Sequence, residues 1–141
     1  MCGHGVYTYS STTKYDGNWI NGMKHGAGIY TCDNSKYDGN WKEDHMHGFG
    51  VLCFTSGSKY EGNWSNDKFN GFGVFVWNNG NRYEGNWLND KQCSHGIFTW
   101  VNGDKYDGEW WYGQKHGHGV MNYANGDKEE GEYKYDKYVK R

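Results

Sequence analysis

Histidine and cysteine recur along the chain at a regular spacing, and both side chains can bind metal ions. The column contains Cys2, His25, His47, Asn70, Cys93 and His116. Zinc ligands must each approach one ion to about 2.0–2.3 Å. Equivalent residues in successive units of two strands would lie about 10 Å apart. The spacing therefore predicts a ladder of polar residues beside turns, and no metal site.

A second column is acidic, and each acid has a basic residue two positions earlier. Residues two apart on a strand share a face, so each pair is expected to form a solvent-exposed ion pair that contributes only a few tenths of a kcal/mol. The sequence contains no nucleophile elbow, phosphate-binding loop or isolated carboxylate pair. We therefore predict no catalytic residue and no cofactor. The acids are Asp16, Asp38, Glu61, Glu84, Asp107 and Glu130, preceded by Lys14, Lys36, Lys59, Arg82, Lys105 and Lys128.

Net charge, hydrophobic segments and cysteine spacing limit the classes of partner and the cellular compartment. With 15 Lys and Arg against 17 Asp and Glu, the net charge is −2, which does not favour nucleic acid. No segment resembles a membrane span or a signal-peptide core. The four cysteines lack a C-x-x-C pattern, and Cys32 and Cys53 are expected on opposite faces, so we predict free thiols and a soluble, cytoplasmic protein.

The elements that position these residues are internal repeats. The string Tyr-acidic-Gly-polar-Trp begins at Tyr15, Tyr37, Tyr60, Tyr83 and Tyr106, with a decayed copy at Glu129. Successive copies are 22, 23, 23, 23 and 23 residues apart. A second string, typified by His47-Gly48-Phe49-Gly50, lies between them. Repeats at a fixed period of this length indicate a stacked array of one small structural unit.

Each repeat predicts two short strands joined by turns. In the first strand Tyr, Gly and Trp alternate with charged or amide residues, and the second strand is rich in β-branched and aromatic residues. Asn-Gly and Asn-Asp pairs between the strands are typical of tight hairpin turns. With two Leu and two Ala, the chain has little from which to build amphipathic helices. The fold class is therefore all-β, as an elongated single-layer antiparallel sheet of stacked β-hairpins.

The 23 glycines occupy regular places in this pattern. Six lie between the Tyr and Trp of the first strand, eleven precede or open the second strand, and six lie in turns. Glycine inside a strand is costly by up to about 1 kcal/mol against alanine. Its repetition predicts that each one leaves space in which an aromatic ring can lie.

The chain resembles the MORN-repeat family (membrane occupation and recognition nexus) in these two strings and their 23-residue spacing. We divide it as one domain, 1–141. The resemblance implies a twisted sheet without catalytic residues. Family members act as scaffolds in cytoskeletal and ciliary assemblies, as dimers, as binders of partner peptides and as membrane-associated or regulatory modules. The predicted units are a partial unit 1–14, repeats 15–36, 37–59, 60–82, 83–105 and 106–128, and a capping unit 129–141.

A single-layer sheet cannot cover both of its faces, so some aromatic surface stays exposed for a partner. Departures from the repeat are a further signal, because the fold does not demand them. Trp111 lies on the polar face of its strand, in a column otherwise filled by Ile20, Lys42, Ser65 and Leu88. Cys93-Ser94-His95-Gly96 replaces the usual His-Gly-x-Gly, which predicts a different turn before it. The candidate partner-binding residues are Phe54, Phe75, Trp77, Phe98, Trp100 and Trp111.

We therefore predict a non-catalytic scaffold or adaptor that binds a protein partner, as a peptide or helix, in a cytoskeletal or ciliary assembly. The sheet ends have open edges that could form a homo-oligomer. Two alternatives remain at this stage. One is a phosphoinositide-binding or membrane-associated module using the weakly opposed basic tail, and the other is a regulatory fragment of a larger enzyme. The tail residues are Lys134, Lys137, Lys140 and Arg141.

Overall fold

The computed structural model describes residues 2–140, which form a single antiparallel sheet of thirteen strands. The strands lie in the sheet in chain order, each hydrogen-bonded to its sequence neighbours. This confirms the all-β, single-layer fold. The strands are β1 Gly3–Thr8, β2 Lys14–Ile20, β3 Met23–Thr31, β4 Ser35–Lys42, β5 His45–Phe54, β6 Lys59–Ser65, β7 Lys68–Val76, β8 Arg82–Leu88, β9 Lys91–Thr99, β10 Lys105–Trp111, β11 Gln114–Asn122, β12 Lys128–Lys134 and β13 Lys137–Lys140.

The two faces of the sheet differ because the sequence alternates with a period of two. In β6, Tyr60, Gly62 and Trp64 are buried, whereas Lys59, Glu61 and Asn63 are exposed. We call the side of Tyr60 and Trp64 the front face and the other side the back face. The buried core is a layer of aromatic side chains on the front face, built mainly from the first strand of each repeat. Its members are Tyr15, Trp19, Tyr37, Trp41, Tyr60, Trp64, Tyr83, Trp87, Tyr106, Trp110, Met121 and Tyr133.

Between the two strands of each of the five full repeats, glycine faces glycine and a tyrosine ring covers the pair. Gly62 of β6 lies opposite Gly73 of β7, and the ring of Tyr60 lies back over both. The Tyr60 hydroxyl then donates a hydrogen bond to the carbonyl of Asn63 at 2.8 Å. The predicted space for a ring is confirmed, and the ring that fills it belongs to the same strand, two residues before its glycine.

The tyrosine and tryptophan rings pack edge to face along the whole array. The Tyr60 ring is 5.2 Å from Trp64 and 5.7 Å from Trp87 of the next repeat, at interplanar angles of 83° in both cases. The Trp64 indole N–H donates to the carbonyl of Gly50 in the preceding repeat at 3.2 Å. Edge-to-face pairs contribute about 0.5–1.5 kcal/mol beyond burial. Each repeat is therefore joined to both of its neighbours by the same contacts.

Two-residue turns along one edge of the sheet also connect neighbouring repeats. In the Asn66-Asp67 turn both residues have positive φ, 48° and 70°. The Asp67 side chain accepts a hydrogen bond from the Met46 N–H at 2.8 Å, and the Asp67 N–H donates to the Met46 carbonyl at 3.1 Å. Asp44, Asp90 and Asp136 repeat this arrangement. The turns therefore form a second ladder along the array.

The expectation of a different turn before Cys93 is wrong. The Asn89-Asp90 turn has φ values of 48° and 72°, like its counterparts, and the strands around it keep the usual register. Ser94 takes the place of a glycine and adopts its conformation, with φ of 62° against 100° at Gly71. The departure is absorbed by one serine in the left-handed region, so the turn itself need not change.

We expect Ser94→Gly to raise the free energy of unfolding by about 1 kcal/mol, because glycine has no Cβ to strain in the left-handed region. Urea unfolding followed by circular dichroism would measure this. Gly71→Ser is the matched control and should cost at least as much, since an added Cβ there would also lie 3.3 Å from the Asn63 Cβ. A loss of stability in Ser94→Gly would show that the serine side chain itself stabilises the fold.

Candidate partner-binding face

Five of the six predicted partner-binding residues form one continuous line on the front face. Phe54, Phe75, Trp77, Phe98 and Trp100 lie at the ends of β5, β7 and β9 and in the loops that follow, and all five are half-buried. We call these five residues the aromatic row. Each loop is held by its own backbone hydrogen bonds; the Trp77 N–H, for example, donates to the Asn81 carbonyl at 2.8 Å.

Contacts between neighbouring rings run the length of the aromatic row. The centroid of Phe75 is 6.4 Å from Phe54 and 4.6 Å from Trp77. The Phe98 centroid is 5.2 Å from Trp77 and 4.6 Å from Trp100. The rings are tilted by 38–47° to one another, and each is partly exposed to solvent. The row is thus a shallow apolar surface, about one ring thick, supported by the buried core.

The sixth predicted residue, Trp111, does not join the row. It follows the buried Trp110 and therefore faces the back of the sheet, at the edge formed by the two-residue turns. Its side chain is 49% exposed and packs edge-on against Tyr112 of the adjoining turn, at 4.6 Å. Any contact made by Trp111 is therefore separate from the surface that the other five residues form.

Hydrogen bonding separates the tryptophans into two groups. Five of them donate their indole N–H to the carbonyl of a strand glycine, as Trp87 does to Gly73 at 3.2 Å. Within residues 2–140, the indole N–H groups of Trp77, Trp100 and Trp111 have no such acceptor; Trp111 is exposed, and Trp77 and Trp100 are half-buried. Indole N–H groups generally find a partner when they are buried. These two half-buried donors are therefore available to an acceptor from another molecule.

Two lysines lie near the two ends of the front face, Lys24 on β3 and Lys115 on β11, and neither was predicted from the sequence. The Lys115 ammonium lies 5.5 Å from the Trp100 ring. The Lys24 ammonium lies 5.2–5.7 Å from four rings and 3.5 Å from a carboxylate oxygen of Asp44. Both lysines occupy the position that Met46, Phe69 and Gln92 hold in the other repeats. Since Met46 and Phe69 pack against the core, this shared position could have indicated from the sequence that the lysines lie beside aromatic rings. Cation–π contacts of this kind keep a charge close to an apolar surface.

Two histidines of the predicted polar column, His25 and His116, contact the backbone of the turns, whereas Nδ1 of His47 has no hydrogen-bond partner in the described part of the chain. The Nδ1 atoms of His25 and His116 accept hydrogen bonds from the backbone N–H groups of Glu43 and Tyr135, at 3.4 and 3.3 Å. Among residues 2–140, no group of three or more His, Cys, Asp or Glu side chains is arranged to hold a metal ion. All four cysteines are free thiols.

The ion pairs predicted between each acid and the basic residue two positions earlier form only in part on the back face. Three of the six expected pairs lie within 4.0 Å in residues 2–140, the closest being Arg82 with Glu84 at 3.1 Å. Asp16 and Asp107 instead contact histidines of a neighbouring strand, His4 and His95, at 2.7 and 2.6 Å. Each of these histidines lies diagonally opposite its acid, since His4 pairs with Asn18 and His95 pairs with Glu109 in the strand register.

Comparison with solved structures finds a similar fold in the TCP domain of SAS-4 (dCPAP) of Drosophila melanogaster, which was solved in complex with a proline-rich motif of Ana2 (dSTIL). The TM-score is 0.52 at 15% sequence identity, over 86% of the present chain. The present chain spans 66% of the length of that domain. No curated protein sequence matches the chain. The part of the chain that the structure describes contains no helix able to cross a bilayer.

The family model for the MORN repeat matches nearly the whole chain in six consecutive segments. They are residues 1–14, 15–36, 37–59, 60–82, 83–105 and 106–128. The glycine pairs, the tyrosine rings above them and the tryptophan-to-carbonyl hydrogen bonds recur in this register. The chain therefore belongs to the MORN-repeat family, and its stacked hairpins form a repeat-based binding module.

Proposed function

We propose that this protein is a non-catalytic scaffold that holds an extended segment of a protein partner along the aromatic row. The observation that carries the proposal is the pair Trp77 and Trp100. Both rings are half-buried on the front face, lie in the same column of successive repeats, and keep their indole N–H free within residues 2–140. The five other indoles that lie in the core use that donor to hold the sheet together.

The shape and chemistry of the row favour an extended segment over a helix. Extended proline-rich segments dock on surfaces lined with aromatic rings, where prolines pack on the rings and tryptophan N–H groups donate to peptide carbonyls. The row offers both features. The similar fold of SAS-4 was solved with a proline-rich motif of another protein, which supports the same mode of recognition for this sheet.

The cellular setting that we propose is a cytoskeletal or ciliary assembly, on the strength of the family resemblance. Imaging of the tagged full-length protein tests this part independently of the binding surface. Signal at microtubule-based structures or the cell cortex is the expected result. An even distribution through the cytoplasm, unchanged after soluble protein is extracted, would contradict it.

We expect Trp77→Ala and Trp100→Ala each to weaken partner binding by about tenfold or more, since aromatic residues dominate interface energetics. The measurement is quantitative affinity capture from cell lysate, followed by titration of the mapped peptide. Trp111→Ala is the matched control, because it removes an exposed tryptophan outside the row. A partner retained equally by all three variants and wild type would exclude the aromatic row as its binding surface.

A further inference from the structure

The aromatic column that contains Trp77 and Trp100 is interrupted at one place. Its other members are large rings, but the second repeat unit contributes Cys32. The loop after Cys32 is also one residue shorter than its counterparts, because the Cys32 N–H donates to the Ser35 carbonyl whereas the Trp77 N–H donates to Asn81. A small side chain and a short loop together leave a gap beside the row. The full column is Tyr9, Cys32, Phe54, Trp77, Trp100 and Tyr123.

A cavity of about 340 Å³ lies on the front face beside this gap, and we call it the notch. Ser35, whose hydroxyl lies 3.4 Å from the Cys32 thiol, is part of its lining. Its floor and sides are mainly apolar, and two carboxylates from the turn edge complete it. The notch is large enough for one long side chain, and its lining includes Leu52, two residues before Phe54 on the same face of β5. It is lined by Lys24, Tyr30, Ser35, Tyr37, Trp41, Asp44, Met46, Leu52 and Asp67.

The two carboxylates are held in place by the backbone. Asp44 and Asp67 each accept a hydrogen bond from a backbone N–H of the preceding repeat, Lys24 and Met46 respectively, at 2.8 Å. Their side chains are 46% and 43% exposed, so the carboxylates remain accessible at the rim of the notch. Oriented carboxylates with fixed positions lose little freedom when they bind a cation.

The charges around the notch leave an excess of negative charge. The Lys24 ammonium is already held by four aromatic rings and Asp44, with only 13% of its side chain exposed. On the outer side, His45 contacts Asp67 at 2.7 Å. Two carboxylates against one buried ammonium favour a cation and repel an anion. Aromatic walls add cation–π attraction and accommodate the methylene stem of a long side chain.

We propose that the notch is a specificity pocket for one basic side chain, arginine or lysine, of the extended partner segment. This inference rests on the proposed function and adds a sequence requirement to it. Cys32 and Trp77 lie two repeats apart, about 20 Å at two strands per repeat. An extended proline-rich segment advances about 3.1 Å per residue. The basic residue should therefore lie about six residues from the one that contacts Trp77.

The test uses two synthetic proline-rich peptides that differ in one group. The first carries a central arginine with roughly six prolines on either side, so that Trp77 is reached in either chain direction. The second carries citrulline, which has nearly the same shape and no charge. Fluorescence polarisation should show that the arginine peptide binds at least about tenfold more tightly, as expected for a partly desolvated cation between carboxylates and aromatic rings.

Substitutions then test whether the notch causes this preference. Asp44→Asn with Asp67→Asn keeps the side-chain acceptor and a residue tolerant of positive φ, so the turns are preserved while the charges are removed. This variant should bind both peptides within about twofold of each other, as should Cys32→Trp, which fills the notch with the ring found elsewhere in the column. Asp90→Asn changes an equivalent turn outside the notch and should keep the preference.

The possible outcomes distinguish failure of the notch from failure of the proposed function. Equal binding of the two peptides to wild type, still lost in Trp77→Ala, overturns the notch and leaves the proposed function intact. A preference for arginine that survives both the double substitution and Cys32→Trp also overturns it. Failure of wild type to bind either peptide overturns the proline-rich mode of recognition together with the notch.

Discussion

Gly73→Ala should lower the free energy of unfolding by about 3 kcal/mol or more, the upper range for overpacking a rigid core. A methyl group at Gly73 would overlap the hydroxyl and ring of Tyr60. That ring is fully buried, hydrogen-bonded to Asn63 and packed between Trp64 and Trp87, so it has nowhere to move. Urea unfolding, monitored by tryptophan fluorescence and circular dichroism, gives the value.

The matched control for Gly73→Ala is Gly22→Ala. An added Cβ at Gly22 meets no atom within 4 Å, so only its positive φ of 78° opposes alanine, at about 1 kcal/mol. The difference between the two variants isolates the contribution of ring packing. If Gly73→Ala cost no more than Gly22→Ala, overlap with the Tyr60 ring would not be what excludes a side chain at Gly73, and the packing account would be wrong.

Raising the pH above 10 should unfold the protein cooperatively, with a midpoint between about pH 10 and 12. Burial raises the pKa of Tyr15 from 10.0 to about 12. Burial likewise raises the pKa of Tyr37, Tyr60, Tyr83, Tyr106 and Tyr133 above the ordinary value. The native state favours the neutral phenol, so this stability is fully present below pH 10. It is lost as pH rises through the native pKa values, because unfolded tyrosines ionise first.

A pH titration that records tyrosinate absorbance and circular dichroism together tests this prediction. The absorbance of the buried tyrosinates should appear in the same transition as the loss of strand signal. Tyr60→Phe removes one of the six coupled groups and should make the alkaline transition less steep, although it also loses the hydrogen bond to Asn63. Full ionisation of all tyrosines with the strand signal unchanged would contradict the linkage.

Much of the fold could be predicted from the sequence because every repeat has nearly the same pattern of aromatic, glycine and polar residues. Alternation within Lys59-Tyr60-Glu61-Gly62-Asn63-Trp64 assigns each side chain to a face, and one error of register would expose every ring. The turn before Cys93 was mispredicted because a string comparison treats the Gly-to-Ser change as a disruption. The backbone tolerates it, since Ser94 can occupy the left-handed region at a modest cost.

The candidate site was only partly accessible to the same reasoning. The columns placed Phe75, Trp77 and Trp100 on one face, which periodicity decides. They did not show which indole N–H groups are used, because the acceptor of Trp87 is a carbonyl in the preceding repeat, fourteen residues away. The alternation of the strand also places Trp111 on the opposite face, and the structure keeps it apart from the row for that reason.

The sequence alone determined the architecture of this protein, since strand faces, turn positions and the glycine pairs all follow from a 23-residue period that repeats with little change. Only the tertiary structure decided where that regular surface becomes selective. Lys24, Asp44 and Asp67 are far apart in the chain and meet at the notch because adjacent hairpins stack side by side. The loop shortened after Cys32 lies beside that space, and the resulting charge and cavity depend on contacts between repeats, which a period within one chain does not specify.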